Sequence, residues 1–233
     1  MKKLKNKPVL MSILVVLVLV FGSYFILGKN KINIFSGRVA SVATVNGVTI
    51  PRDTYDTQLA SSIASYKAQG VDFEKDTNKL FEVKTQVLDT LISNQLLAEG
   101  VARNGIKASE EDVNKQYQDL LTQAGGTEKF KAALIESKLT EAQLKKNIAK
   151  QIAAQEYLSE NVDTSKLDAS DAEIAKFYND YKKGQKAAGK ETPTLKDLSD
   201  QIKQQIISNK KRALILDFIA SLRAKAKIET NIL

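Results

Sequence analysis

Residues 8–28, PVLMSILVVLVLVFGSYFILG, form an unbroken stretch without a single charged side chain. A helix apolar on every side has no face to turn toward water, so it belongs in a core or in a bilayer. At about 1.5 Å per residue, some 20 helical residues cover the roughly 30 Å of hydrocarbon, and the stretch is expected to be one transmembrane helix. It exceeds the roughly 7–15 apolar residues of a signal-peptide core, and no Ala-x-Ala site follows it closely. An uncleaved anchor is therefore expected, with Gly22-Ser23 the one place where a signal peptidase could compete. Lys2, Lys3, Lys5 and Lys7 precede the run, against Lys29, Lys31 and Arg38 after it. By the positive-inside tendency, residues 1–7 form a cytoplasmic basic tail and 29–38 an external tether. The expected localisation is a cell membrane, crossed once, with the C-terminal domain (39–233) extracytoplasmic.

The charge of the whole chain, +8, at first suggests nucleic acid or an anionic surface. Six of the 35 basic residues lie in 1–31, where there is no acid, so 32–233 carry 29 basic and 27 acidic residues, a net of +2. That near balance gives no nucleic-acid footprint, and no nucleic-acid partner is expected. The chain has no His and no Cys. Triads built on either residue, zinc sites, disulfides and thiol redox chemistry are excluded.

The outer part opens on VASVATVNGVTI, where two β-branched arms flank Asn46-Gly47, a pair that tolerates the positive φ of a tight hairpin. A lone hairpin is marginal. The alternating C-terminal segment from Ala226 to Ile232 is the expected partner, joining the two chain ends in one small sheet. Between them the periodicity is helical. Pro51 opens a helix ended by Gly70, with Tyr55, Leu59, Ile63 and Tyr66 on one face. A second, from about Asn78 to Arg103, carries Leu80, Phe81, Val87, Leu88, Leu91, Ile92, Leu96, Leu97 and Val101. Ser109-Glu110-Glu111-Asp112 resembles a capping box opening a third, which Gly125-Gly126 ends. Thr127 and Thr140 are placed as N-caps of helices near 128–137 and 141–158, and Ser170 caps the next. Residues 184–193 read as an exposed loop. The last helix, about 195–226, has Leu198, Ile202, Ile206, Leu214, Phe218 and Leu222 as its apolar face.

No catalytic, cofactor-binding or metal-binding residue is assigned, and no cofactor is expected. The acidic pairs Glu110/Glu111, Asp168/Asp171 and Glu156/Glu160 read as helix-start or solvated charges. Lys145-Lys146, Lys182-Lys183 and Lys210-Lys211-Arg212 are short clusters diluted by nearby acids. Tyr55, Tyr66, Tyr117, Tyr157, Tyr178 and Tyr181 read as packing residues. There is no Gly-rich phosphate loop and no Gly-x-Ser-x-Gly elbow. Binding, not catalysis, is what such a chain offers, although the sequence does not single out the residues that bind.

Four stretches together resemble the N-terminal region of the SurA/PrsA/PpiD group of extracytoplasmic foldases. They are the strand-turn-strand from Val42 to Ile50; Val87 to Leu97 continuing to Ala102-Arg103-Asn104-Gly105-Ile106; Ser170 to Tyr178; and Leu222 to Glu229. The resemblance implies a mainly α, multi-helix SurA N-terminal-like chaperone domain with a small β element. In full-length members a parvulin-type isomerase domain usually follows the segment matching Asp171–Tyr181. Here only a short stretch from Lys182 to Pro193 precedes the last helix, and parvulin sites typically use His. The implied protein is therefore not an enzyme, and an isomerase label would hold by homology only. Its implied partners are unfolded or nascent secreted polypeptides, bound without ATP, and a lipid bilayer through residues 8–28. The alternative is a structural or adaptor protein holding one folded partner at the membrane.

Overall fold

The computed structural model describes residues 40–137, 139–187 and 193–231. Among these, three short strands and seven helices follow in the order β1 (Ser41–Val45), β2 (Val48–Pro51), α1 (Arg52–Ala68), α2 (Thr77–Arg103), α3 (Glu110–Gln123), α4 (Thr127–Glu136), α5 (Glu141–Asn161), α6 (Asp171–Ala187), α7 (Leu195–Lys225) and β3 (Ile228–Thr230). They divide into two compact units, one of residues up to Tyr157 together with those from Arg223 onward, the other Leu158–Leu222.

The expected transmembrane helix is corrected. Residues 8–28 lie outside the described residues, and among the described ones no helix is long and apolar enough to cross a membrane. The two longest, α2 and α7, are interrupted by side chains that hydrocarbon would not accept, among them Asp89 and Glu99 in one and Lys203, Lys210 and Asp217 in the other. The fold of the described residues is mainly α with a small sheet. The membrane anchoring, the bilayer contact through 8–28, the signal-anchor and the single-pass localisation with a cytoplasmic N-terminus, all expected from the sequence, find no membrane-spanning helix among the described residues.

In the first unit the sheet has the order β2-β1-β3, with β1 antiparallel to both neighbours. Asn46 (φ 50°) and Gly47 (φ 83°) make the two-residue turn, both in the left-handed region that a tight hairpin of this kind requires. Ala43, Thr44 and Val45 face Thr230, Glu229 and Ile228, so the chain ends do meet in one sheet. The returning strand is shorter than expected, and Ile232 lies outside the described residues. Val42, Ala43 and Val45 are fully buried, as are Leu91 and Ile92 of α2, which packs on β1 and on α1. Fully burying side chains of this size contributes about 1.5–3 kcal/mol each.

Asn46 closes this corner. Its Oδ1 accepts from the Lys227 N–H (2.9 Å), its own N–H donates to the Lys227 carbonyl (2.8 Å), and its Nδ2 donates to Glu99 of α2 (2.7 Å). Arg223 near the end of α7 pairs with Asp89 of α2 at 2.7 Å. Farther along, Tyr117, Phe130, Leu144 and Ile148 join α3, α4 and α5 in a second cluster, with Tyr117 edge-on to Phe130 at 5.3 Å.

The helix starts follow their capping chemistry, with one exception. The Asp112 and Gln143 N–H groups donate to the Ser109 and Thr140 hydroxyls, and the Gln143 side chain accepts in return from the Thr140 N–H. Thr127 is not a cap: the helix begins at that residue, and Gly126 (φ 103°) precedes it as N-cap. The paired glycines turn the chain there, which leaves Thr127 already helical. Helix α6 runs to Ala187, into the stretch read as loop, and 188–192 lie outside the described residues.

Phe81, placed in the apolar stripe of this helix by the sequence, is 59% exposed, while Val83 two residues on is buried. Helical spacing puts Val83, Val87 and Leu91 in one i, i+4 row, and Phe81 stands off it. Gly100 lies within α2, where Ala would ordinarily be the better helix former, yet a Cβ built on Gly100 would overlap the Tyr157 ring.

Two outcomes are expected. Gly100→Ala should destabilise the protein by about 1–3 kcal/mol in denaturant melts, and Tyr157→Leu in the same chain should recover much of that loss. Asn46→Gly, which keeps the turn but removes the side-chain bonds, should cost about 1–2 kcal/mol, and Asn46→Ala more because of the positive φ. Equal stability of Asn46→Gly and the parent would show that the side-chain bonds are dispensable.

Candidate functional site

The second unit is built on α6 and the larger part of α7. Ala169, Ile174, Ile202 and Ile206 form its buried centre, with Phe177, Tyr178, Leu198 and Ile207 packed against them. Ser170 and Glu173 form a reciprocal capping box at the start of α6, and Thr194 and Asp197 do the same for α7. Two ion pairs tie the elements together, Lys203 with Asp168 (2.9 Å) and Lys210 with Glu173 (2.7 Å). The Lys210 ammonium also donates to the Asp168 carbonyl at 2.7 Å.

Beyond Lys210 the helix changes character. From Ala213 to Leu222, ALILDFIASL, six large apolar side chains occupy ten positions, and none of the ten residues is buried. Leu214 and Leu216 are exposed at 36% and 54%, while Ile215, Phe218, Ile219 and Leu222 are half-buried. The reason is geometric. An i, i+4 row advances about 400° per step against a full turn of 360°, so it winds about 40° around the helix each time. Over the run Leu198, Ile202, Ile206, Lys210, Leu214, Phe218 and Leu222, the row has passed to the other side of the cylinder. The residues read as one apolar face are two, and only the first of them enters the buried centre.

Helices apolar around most of their circumference are normally buried. An accessible strip of this kind is a surface on which an apolar partner gains the free energy of leaving water. Among the described residues the other exposed large apolar side chains are dispersed. Val48, Phe81 and Ile135 lie on different elements of the first unit, and Tyr181 and Leu195 lie on the second.

Several of the polar groups considered from the sequence are engaged in structure. Glu110 and Glu111 lie in the exposed first turn of α3. Asp168 pairs with Lys203, and Asp171 stands in the first turn of α6. Lys145 reaches Glu141 at 3.2 Å and lies over the Tyr117 ring, and Lys183 reaches Asp180. Tyr55 donates to the Lys84 carbonyl and Tyr178 to that of Pro193, and Tyr66 meets Phe73 edge-on. Among the described residues no group of three or more His, Cys, Asp or Glu side chains could hold a metal ion, so Glu156 and Glu160 join none. Leu216, Ile215 and Ile219 were not singled out by the sequence. Their signal was a ten-residue run with Asp217 its one charge.

Glu173 is the most perturbed carboxyl among the described residues. Bonds from the Lys210 ammonium and then from the Ser170 N–H hold it at about 2 instead of 4.5. Asp168 is lowered in the same sense by Lys203 and by the Ala169 N–H. A depressed folded pKa contributes stability that is present above the unfolded value and is lost as pH falls through the folded one. Acidification from about pH 5 toward about pH 2 is therefore expected to reduce hydrogen-exchange protection at the start of α6. Lys210→Met should flatten that pH dependence, whereas an unchanged profile would remove this pair from the account.

A family model described as a SurA-like N-terminal domain matches residues 1–158. Two curated relatives, both foldase protein PrsA from strains of Clostridium perfringens, are 28% identical over 151 residues, taking in 61% of this chain and 43% of theirs. The match thus spans less than half the length of those relatives. A solved structure of a SurA-like chaperone from Campylobacter jejuni, from work on the structurally related pair PEB4 and Cj1289, aligns with a TM-score of 0.50 at 14% identity. The alignment covers 83% of this chain and 100% of that one, and the likeness is one of fold.

Proposed function

This chain belongs to the family of SurA-like N-terminal domains, and on that premise we propose that it is a chaperone binding unfolded or partly folded polypeptides through apolar helical surface. The scaffold is non-catalytic, and the chain is not an enzyme. Residues 188–194 alone separate α6 from α7, so the chain has no separate parvulin domain at the place where family members carry one. The observation that carries the reading is the strip from Ala213 to Leu222, where Leu214 and Leu216 are exposed and Ile215, Phe218, Ile219 and Leu222 are half-buried.

The mechanism is passive. Unfolded chains expose short apolar segments that associate with one another. A strip of Leu, Ile and Phe on a pre-formed helix binds such a segment without itself having to order, which keeps the entropic cost on the client's side. Binding lowers the free concentration of aggregation-prone species by mass action, and release needs no nucleotide because each contact is weak. The dispersed exposure of Val48, Phe81 and Ile135 in the first unit favours many shallow contacts over the single compact patch of an adaptor.

The test is aggregation of a chemically unfolded reporter in the presence of the full chain at molar excess. The parent should slow it. Leu214→Ser with Leu216→Ser should weaken the effect about tenfold in apparent affinity at a stability cost of about 1 kcal/mol, from the lower helix propensity of two serines and the part of Leu214 that is covered. Unchanged aggregation in the presence of the parent would sink the reading.

A further inference from the structure

Helix α4 is held in the first unit by a single buried side chain. Eight of its ten residues are exposed, Leu134 is half-buried, and Phe130 alone is buried. Its N-cap, Gly126, supplies no side-chain bond, whereas Ser109 and Thr140 cap α3 and α5. Among the described residues no ion pair or side-chain hydrogen bond ties α4 to another element, and Lys131 pairs with Glu128 of the same helix. Gly125 (φ 87°) and Gly126 (φ 103°) join it to α3 in a conformation that only glycine adopts readily. A helix this short is marginal in water by itself, so α4 depends on the seat of Phe130.

That seat is apolar and aromatic. Tyr117 of α3 meets the Phe130 ring edge-on at 5.3 Å, and Leu144 and Ile148 of α5 complete the buried cluster. Asn147 stands next to Ile148 and on the i+3 row of Leu144; it is buried, and its Oδ1 accepts no hydrogen bond. Leaving a buried acceptor unbonded is costly, and the closed structure supplies no donor. An extended polypeptide supplies one at every residue but proline, its backbone N–H.

On the chaperone reading above, we propose that α4 is a displaceable plug, and that the seat it vacates on Tyr117, Leu144 and Ile148 takes an aromatic side chain of an unfolded client in place of Phe130. The present occupant fixes the chemistry: a ring edge-on to Tyr117, carried on an apolar segment. Asn147 Oδ1 accepts a backbone N–H of that segment. Each client must displace Phe130, so its apparent affinity falls in proportion to how seldom the seat is open. The hold therefore stays reversible without a nucleotide.

The experiment uses the full chain and two fluorescent peptides that differ at one position, Phe or Ser. Saturating Phe peptide should lower the hydrogen-exchange protection of α4 while α2 and the sheet keep theirs. Protection of α4 that stays or rises would refute the plug and leave the chaperone reading standing, and this readout needs no variant. Phe130→Ala, its fold checked by circular dichroism, should bind the Phe peptide about tenfold more tightly than the parent does, and prefer it to the Ser peptide by a similar factor. Equal affinity for parent and variant, or for the two peptides, also refutes the proposal. Self-association of Phe130→Ala that the parent lacks would assign the vacated seat to a second copy of this chain and refute it likewise. Asn147→Leu, which keeps the site apolar and removes the acceptor, should weaken the Phe peptide about threefold. Unchanged affinity there would strike Asn147 from the site. Failure of both peptides to bind refutes the proposal, and the chaperone reading falls with it only if aggregation of the unfolded reporter is unslowed as well.

Discussion

The first unit depends on a pairing between residues far apart in the chain, the antiparallel contact of β1 with β3. Bringing Val45 against Ile228 closes a very long loop, which is costly in chain entropy and slow to form. Three registered residues cannot offset that alone. What offsets it is their setting: Val42, Ala43 and Val45 are buried under α2, and Asn46 binds both the entry to β3 and Glu99. One residue thus supplies the backbone conformation of the hairpin and the bonds that secure the returning strand. The Arg223–Asp89 pair adds a second tie at the end of α7.

The second unit solves a different problem with the same helix. Its centre is small, and α6 is tied to its neighbours by two ion pairs and a capping box as much as by Ile174, Ile202 and Ile206. The ion pairs are largely solvent-exposed, so their individual contributions are modest, and their use lies in fixing which side of α7 faces α6. Once that side is fixed, the winding of the i, i+4 row carries Leu214, Phe218 and Leu222 away from the buried centre. The proposed binding strip is thus a by-product of helix geometry acting on a row of apolar residues longer than the face it can fill.

A surface of this kind suits a chaperone better than an enzyme or a high-affinity adaptor. Chemistry needs convergent, perturbed groups, and the most strongly perturbed carboxyl among the described residues, Glu173, is engaged in holding α6 and α7. A tight interface needs anchors seated in pockets. Rows of Leu, Ile and Phe on a solvent-facing helix instead give weak, interchangeable contacts. Such contacts accept many sequences and release them.

By itself the sequence determined the elements and much of their boundaries. Asn46-Gly47 set the hairpin because few residue pairs tolerate its torsions, and Ser109, Thr140 and Ser170 marked helix starts because their hydroxyls satisfy N–H groups left without partners. The absence of His and Cys set what chemistry the chain could not do. Periodicity did not determine which apolar residues would be covered, because burial depends on what the fold brings opposite. Phe81 and Val83 are near neighbours in α2 with opposite fates. Spacing alone does not distinguish Ile206 from Leu214, two members of one row, yet Ile206 joins the buried centre with Ile174 of α6 and Leu214 stays exposed. Tertiary structure also decided that Gly126 and not Thr127 precedes α4, and that no described helix spans a membrane. Local patterns are set by the chain's own torsions and hydrogen bonds; exposure is set by partners distant in sequence, which only the folded structure supplies.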